Sequence, residues 1–356
     1  MTTERRLTVA VDAMGGDFAP GEIVGGALLA LQQHLDLSIL LVGDEARVRA
    51  ELGPESRNER VAIVHASEVI EMNEAASAVR RKRGSSIMRA MDQVKEGAAQ
   101  AVVAAGSTGA AMSAALLRWG RIQGIERPAI AAVLPTVKGP CVVLDVGANV
   151  DCRPEWLVQF ALMGAAYSHK VLKVETPRVG LLNIGEEPEK GDDLSLATHR
   201  RLAELDPGRH QHQTSLPWRF VGNVEGRAIW EQPADVVVAD GFVGNTVLKT
   251  AEGVAGMVSR MLREEIHRGG LSAKFGALLM TGAFKALRRR IDPAEYGGAL
   301  LLGVDGVCVI SHGSSRAPAV ANAIRVAMEA LKTDAVGLIR ATIGSMNEPA
   351  NGERSS

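Results

Sequence analysis

Ser107 and Thr108 stand between Gly106 and Gly109 in the stretch AAGSTGAAMSAALL, after the apolar run AQAVVAA and before a run of Ala, Met and Leu. The first run has the composition of a short buried strand and the second that of a helix. Glycine lets the backbone turn tightly, and Ser or Thr caps a helix start. A small-residue turn leading into a helix N-terminus suits an anion such as phosphate, although a plain strand-to-helix turn has the same letters. Five further loops carry comparable density. DAMGGDFAP holds Asp12, Gly15, Gly16 and Asp17, two carboxylates that either act as bases or metal ligands or cap turns. DVGANVDCRP holds Asp145, Asn149, Asp151 and Arg153. NIGEEPEKGDD holds Asn183 and Lys190, a lysine that either neutralises a bound anion or sits in an exposed ion pair. DGFVGN holds Asp240 and Asn245, and SHGSS holds His312, Ser314 and Ser315 at another helix entrance.

What is missing narrows the chemistry. The chain has no Gly-x-x-x-x-Gly-Lys-Ser/Thr loop, no strand-linked Gly-x-Gly-x-x-Gly, no His-Glu-x-x-His and no Gly-x-Ser-x-Gly. ATP, dinucleotide, zinc-hydrolase and serine-hydrolase readings lose ground. Backbone N–H groups, hydroxyls, amides, one lysine and one histidine remain, a set suited to a phosphate-like anion and needing neither metal nor cofactor. No activated nucleophile stands out, so direct transfer is expected rather than a covalent enzyme intermediate.

Each loop needs an element on either side, and the chain supplies them. An apolar β-branched run, a loop rich in Gly, Asp or Asn, and a helical pattern recur six times, at Asp12, Gly106, Asp145, Asn183, Asp240 and His312. Such alternation predicts an α/β fold with a mostly parallel sheet covered on both faces. If every loop leaves a strand's carboxyl end, all six gather on one edge of the sheet. The 356 residues suffice for a large core, and 46% hydrophobic with 23% charged residues is ordinary for a globular chain. A net charge of -1 and 3% aromatics argue against a nucleic-acid partner. Cys141, Cys152 and Cys308 form no paired motif. MTTERRLTVAVD lacks the apolar core of a signal peptide, and no apolar run is long enough to span a bilayer, so a cytoplasmic protein is expected.

The segments VDAMGGDFAP, AGSTGA, LDVGANVDCRPEWLVQFA, NIGEEPEKG, FVGNVEGR, ADGFVGN, and YGGALLLG with HGSS together resemble the phosphate acyltransferases of bacterial phospholipid synthesis, the PlsX family. They span roughly Val9 to Ala327, in the family's order. The resemblance implies a three-layer α/β/α Rossmann-like sandwich, like the phosphotransacetylases and the isocitrate dehydrogenase group. It implies transfer of a long-chain acyl group from acyl carrier protein to inorganic phosphate, feeding glycerol-phosphate acylation. It also implies a homodimer loosely attached to the inner face of the membrane, in reach of the glycerol-phosphate acyltransferase. Close alternatives are a short-chain phosphotransacetylase using coenzyme A and a non-catalytic scaffold for carrier protein. Asp192, Asp193 and Ser311 depart from letters common in relatives. On this reading Gly106, Ser107, Thr108, Gly109, Asn183 and Asn245 bind phosphate, with help from Asn149 and Lys190. Asp12, Asp145, Asp240 and His312 remain open candidates for orienting phosphate or moving a proton.

Two segments fall outside the six units. Arg80, Arg81, Lys82 and Arg83 form either a solvated basic turn or a dock for an acidic carrier protein. Residues from about Asn245 to Arg290, broken at Gly269 and Gly270, read as a protruding helical hairpin. Its Phe275, Leu278, Leu279 and Phe284 alternate with Lys274, Lys285 and Arg288 to Arg290, a pattern for a dimer contact or a membrane surface. One folded domain over 1–345, with a hairpin at about 246–292 and a flexible tail over 346–356, is the expected organisation.

Overall fold

The computed structural model describes residues 6–208, 216–291 and 297–347, and for 288–291 and 347 the backbone only. Its strands are β1 (Leu7–Asp12), β2 (Leu37–Gly43), β3 (Val61–His65), β4 (Ala101–Ala104), β5 (Ala129–Pro135), β6 (Pro140–Leu144), β7 (Arg178–Asn183), β8 (Arg219–Glu225), β9 (Val236–Val238), β10 (Ala299–Leu302) and β11 (Val307–Ile310). Its α-helices are α1 (Gly21–Gln33), α2 (Glu45–Leu52), α3 (Ser86–Lys95), α4 (Thr108–Arg118), α5 (Pro154–Lys170), α6 (Asp193–Leu205), α7 (Gly241–Arg268), α8 (Gly270–Leu279), α9 (Thr281–Ile291), α10 (Ala317–Lys332) and α11 (Ala335–Asn347). All six strand–loop–helix units form. The basic Arg288 to Arg290, Tyr296 and the tail beyond 347 lie, in whole or as side chains, outside the described residues.

One sheet of order β3-β2-β1-β4-β11-β10-β5-β6-β9-β7-β8 runs through the molecule. Because strand side chains alternate, each central strand feeds two cores. Val9 and Val11 of β1, Val142 and Leu144 of β6, and Val236 and Val238 of β9 face α1, α2, α5, α6, α10 and α11. Ala10, Val143 and Val237 face the other way, toward α3, α4 and the start of α7. The result is a three-layer α/β/α sandwich. Helix α4 lies close on the sheet because its buried positions are Ala110, Ala111, Ala114 and Ala115.

The six loops do not gather on one edge. β10 is antiparallel to both β11 and β5, and β5 is antiparallel to β6. Consequently β1, β4 and β11 point one way, while β6, β7 and β9 point the other. The cause is local. The turn Thr136–Gly139 joins β5 to β6, and residues 303–306 join β10 to β11, and connections this short can only make hairpins. The two sets of strand ends nonetheless stay near each other. Along the register Val309–Leu300–Ala131–Leu144, β6 ends level with the next-to-last residue of β11. Asp145 and Ser311 are therefore offset by only about 10 Å along the strands.

Candidate active site

The ends of β1, β4 and β11 interlock through backbone. Gly15 lies so close to the Gly106 amide that a Cβ would stand 2.8 Å from its nitrogen. Gly16 has φ +100°, and a Cβ there would meet the carbonyls of Ala105 and Gly313 at 3.0 Å. Asp17 N donates to Gly313 O at 2.8 Å, and Ser311 N donates to Ala104 O at 2.8 Å. Asp12 is buried beneath this weave, accepting from Met14 N at 3.2 Å. Burial pushes its carboxyl up from the ordinary range, against hydrogen bonds from Ser86, Met14 and Gly15. Ser107 caps α4, its hydroxyl accepting from Ala110 N at 3.4 Å. Ser311 and Ser315 share a hydrogen bond of 2.6 Å between their hydroxyls.

The ends of β6, β7 and β9 are tied up differently. Asp145 is fully buried and accepts from the backbone N–H groups of Ile130, Gly147, Ala148 and Asn149 and from the Asn149 side chain. Burial raises its pKa, and these bonds pull against the rise. Asn149 spends its amide nitrogen on Asp145 and on Pro128 O. Asp240 caps α7, accepting from Phe242 N at 2.8 Å and Val243 N at 2.9 Å. Asn183 donates to Lys190 O and accepts from Ile184 N. Asp192 caps α6 through Ser195 N. Lys190 is exposed and sits on the far side of β9 from β6.

Helix α7 connects the two sets. It packs onto the Asp145 loop so tightly that a Cβ on Gly244 would lie 2.0 Å from Asp145 O. From Gly244 to Glu252 the helix advances about 12 Å, toward the end of β11. Between α7 and the middle strands lies a cavity of about 1240 Å³. Ile130, Ala132, Leu134, Val146, Trp230 and Val254 make much of it apolar. Its polar lining includes Thr108, Asn245, Lys249, Glu252, His312, Ser314, Ser315 and Arg316. Lys249 Nζ lies 2.9 Å from Glu252 Oε2 and 3.5 Å from His312 Nδ1, and His312 Nε2 lies 3.1 Å from Glu252 Oε1. Partial burial pushes the Glu252 carboxyl up, but His312 and Lys249 outweigh it and bring the pKa down to about 2.

Of the residues singled out from the sequence, the cavity thus brings together Thr108, Asn245, His312, Ser314 and Ser315. It does not include Asp12, Asp145, Asn149, Asn183, Lys190 or Asp240. The sequence reading missed Lys249 and Glu252. Their signal was present: Asn245, Lys249 and Glu252 follow at i, i+4 and i+7, one stripe of a helix. Arg80, Arg81 and Arg83 are exposed, whereas Lys82 is tied to Glu74 at 2.6 Å and to Val69 O. Their segment borders the α4 entrance, where a Cβ on Gly109 would stand 3.0 Å from Ala76. α7 begins at Gly241, earlier than its sequence pattern suggests, and ends at Arg268 before Gly269 and Gly270. Phe275, Leu278 and Leu279 are exposed and Phe284 is half-buried. Among the described residues no helix is long and apolar enough to cross a membrane, and no group of three or more His, Cys, Asp or Glu is placed to hold a metal ion.

Residues 7–337 match the family described as fatty acid synthesis protein. The phosphate acyltransferase of Pelotomaculum thermopropionicum is 52% identical over 341 residues, covering 96% of each chain. That of Thermosynechococcus vestitus is 54% identical, covering 92% of each. Among solved structures, a phosphotransacetylase from Streptococcus pyogenes superposes with a TM-score of 0.58 at 16% identity, covering 97% of this chain and 95% of its own. A 4-hydroxythreonine-4-phosphate dehydrogenase from Salmonella typhimurium gives 0.51 at 15%, covering 92% and 99%. These two likenesses establish the fold.

Proposed function

Since the chain belongs to the phosphate acyltransferases of fatty acid and phospholipid synthesis, we propose that it passes a long-chain acyl group from acyl carrier protein to inorganic phosphate. The cavity carries this reading. Pockets for small ligands are roughly 300–1,000 Å³, and this one is larger, apolar along the middle strands and polar where α4, α7 and the β11 loop converge. A long aliphatic chain fits the first part and a thioester carbonyl with phosphate fits the second.

In this reading the amides at the start of α4 and the Thr108 hydroxyl hold phosphate, drawing on the positive end of the helix. Asn245 reaches the same space from the other strand ends. A phosphate oxygen attacks the thioester carbonyl carbon, and N–H donors stabilise the tetrahedral oxyanion. The C–S bond then breaks, its electron pair leaves on sulfur, and the proton of hydrogen phosphate ends on the carrier-protein thiol. Alignment of two bound reactants supplies several kcal/mol of the barrier. Arg80, Arg81 and Arg83 beside the α4 entrance dock the acidic carrier protein. Phe275, Leu278 and Leu279, flanked by Lys274 and Lys285, rest on the inner face of the membrane, and the chain works as a homodimer beside the glycerol-phosphate acyltransferase.

The test is incubation with palmitoyl-acyl carrier protein and phosphate, trapping acyl phosphate with hydroxylamine, alongside acetyl-coenzyme A. Phosphate-dependent product from the carrier protein, reduced in Thr108→Ala, is the expected result. Product from acetyl-coenzyme A alone would replace the donor with a short-chain one. Carrier-protein binding without product from either donor would leave a scaffold.

A further inference from the structure

We propose that Lys249 is a further substrate-contacting residue of this site, and that Glu252 and His312 act as its positioning residues. The inference deepens the acyl-transfer reading and rests on it. It starts from donor and acceptor inventory. A lysine ammonium only donates, so His312 Nδ1, 3.5 Å from Lys249 Nζ, presents its lone pair there. The imidazole proton therefore sits on Nε2, which faces Glu252 Oε1 at 3.1 Å. That carboxylate oxygen is sealed from solvent and has no formed hydrogen bond, so a small turn of the ring toward it is favourable. Glu252 Oε2 takes a second Lys249 proton at 2.9 Å. Two of the three ammonium protons are thus directed by the protein, and the third is left for an anion in the cavity that all three residues line.

The placement suits the charge that develops during transfer. Thr108 lines the end of the cavity to which the acyl-transfer reading assigns phosphate, and His312 belongs to the loop interlocked with the one before α4. An ammonium held at that end meets either the phosphate dianion or the carbonyl oxygen as it becomes an oxyanion. Glu252 and His312 restrict where the ammonium points without touching substrate. The three residues come from two elements, with Lys249 and His312 63 positions apart, so the arrangement exists only in the folded chain.

The experiment uses the full chain and two readouts. Steady-state kinetics with palmitoyl-acyl carrier protein should show Lys249→Ala lowering kcat about 100-fold, the size expected for losing one oxyanion donor, with KM for the acyl donor little changed. Glu252→Gln should lower kcat about tenfold, as for residues coupled in one network. Glu252→Asp should recover part of that, and the double variant should be no worse than Lys249→Ala. The second readout is the nitrogen-15 spectrum of the histidines, with the His312 signal assigned from His312→Gln. The wild type should show the Nε2–H tautomer, and Glu252→Gln should lose it while the chain, though less stable, stays folded at the assay temperature. Unchanged kcat in Lys249→Ala, or an unchanged His312 tautomer in Glu252→Gln, would overturn the proposal. If carrier-protein thioesters are not substrates at all, the donor reading falls while the tautomer still reports on the Lys249–Glu252–His312 arrangement.

Discussion

The two sets of strand ends use similar residues to opposite purposes. At β6, β7 and β9, Asp145, Asn149, Asp240 and Asn183 are consumed by the backbone around them. At β1, β4 and β11, glycines bring the backbones together, and Thr108, His312, Ser314 and Ser315 remain facing a cavity. The first set is a foundation for α7, and the second is an opening that α7 covers. Density of polar residues in a loop therefore does not identify a site. What separates the two cases is whether neighbouring N–H groups already occupy the acceptors.

This contrast can be broken by mutation. The largest effect should come from Asp145→Ala, which strands several buried N–H donors. It should cost about 3 kcal/mol or more by urea unfolding, with Asp145→Asn losing less because one acceptor oxygen stays. A stable but inactive Asp145→Ala protein would move Asp145 from foundation to chemistry. Gly244→Ala comes next, since its Cβ would lie 2.0 Å from Asp145 O, a main-chain atom. A loss of about 1–3 kcal/mol is expected from overpacking, along with lower activity as Lys249 and Glu252 shift.

On the open side, Ala132→Phe fills the cavity from β5. It should cut kcat/KM for a palmitoyl donor about tenfold to hundredfold relative to an octanoyl donor, given what one or a few methylenes are worth in an apolar pocket. A chain-length profile that did not move would remove the acyl chain from this cavity. Ser107→Ala should be mildest. Its cap bond is long at 3.4 Å, so a stability loss of about 0.5 kcal/mol is expected. A much larger loss of activity than of stability would tie the Ser107 hydroxyl itself to phosphate.

Acid unfolding sharpens the same contrast. Glu252 has its pKa lowered from 4.5 to about 2 in the fold. A lowered carboxylate pKa stabilises above the unfolded value and ceases to do so as pH falls through the folded one. Stability should thus decline between about pH 4.5 and pH 2 through this group, and that part should vanish in Glu252→Gln. Asp145 has the reverse sign: its pKa is raised, so its protonation eases folding as pH falls rather than opposing it.

Much of the fold was legible in the letters. Each of the six strand–loop–helix units formed, since apolar runs, glycine turns and capping residues act over a few positions. The break at Gly269 and Gly270 was legible for the same reason. The expectation of one loop edge failed where two hairpins reverse the sheet. Those hairpins were also written locally, as apolar runs four residues apart in AIAAVLP-TVKG-PCVVL and ALLL-GVDG-VCVI, a spacing that forces antiparallel neighbours. Lys249 and Glu252 were harder, because a polar stripe on a helix is ordinary until something faces it.

The need for glycine at Gly15, Gly16 and Gly244 comes from distant backbone that the fold brings close, whereas the sequence by itself determined the elements and the caps at Ser107 and Asp240. These depend on backbone sterics and on hydrogen bonds within a few residues. Only the tertiary structure decided which polar groups are spent and which face open space. Whether Asp145 is saturated or His312 meets Glu252 depends on strand order and on where α7 crosses the sheet, and those contacts join residues far apart in the chain.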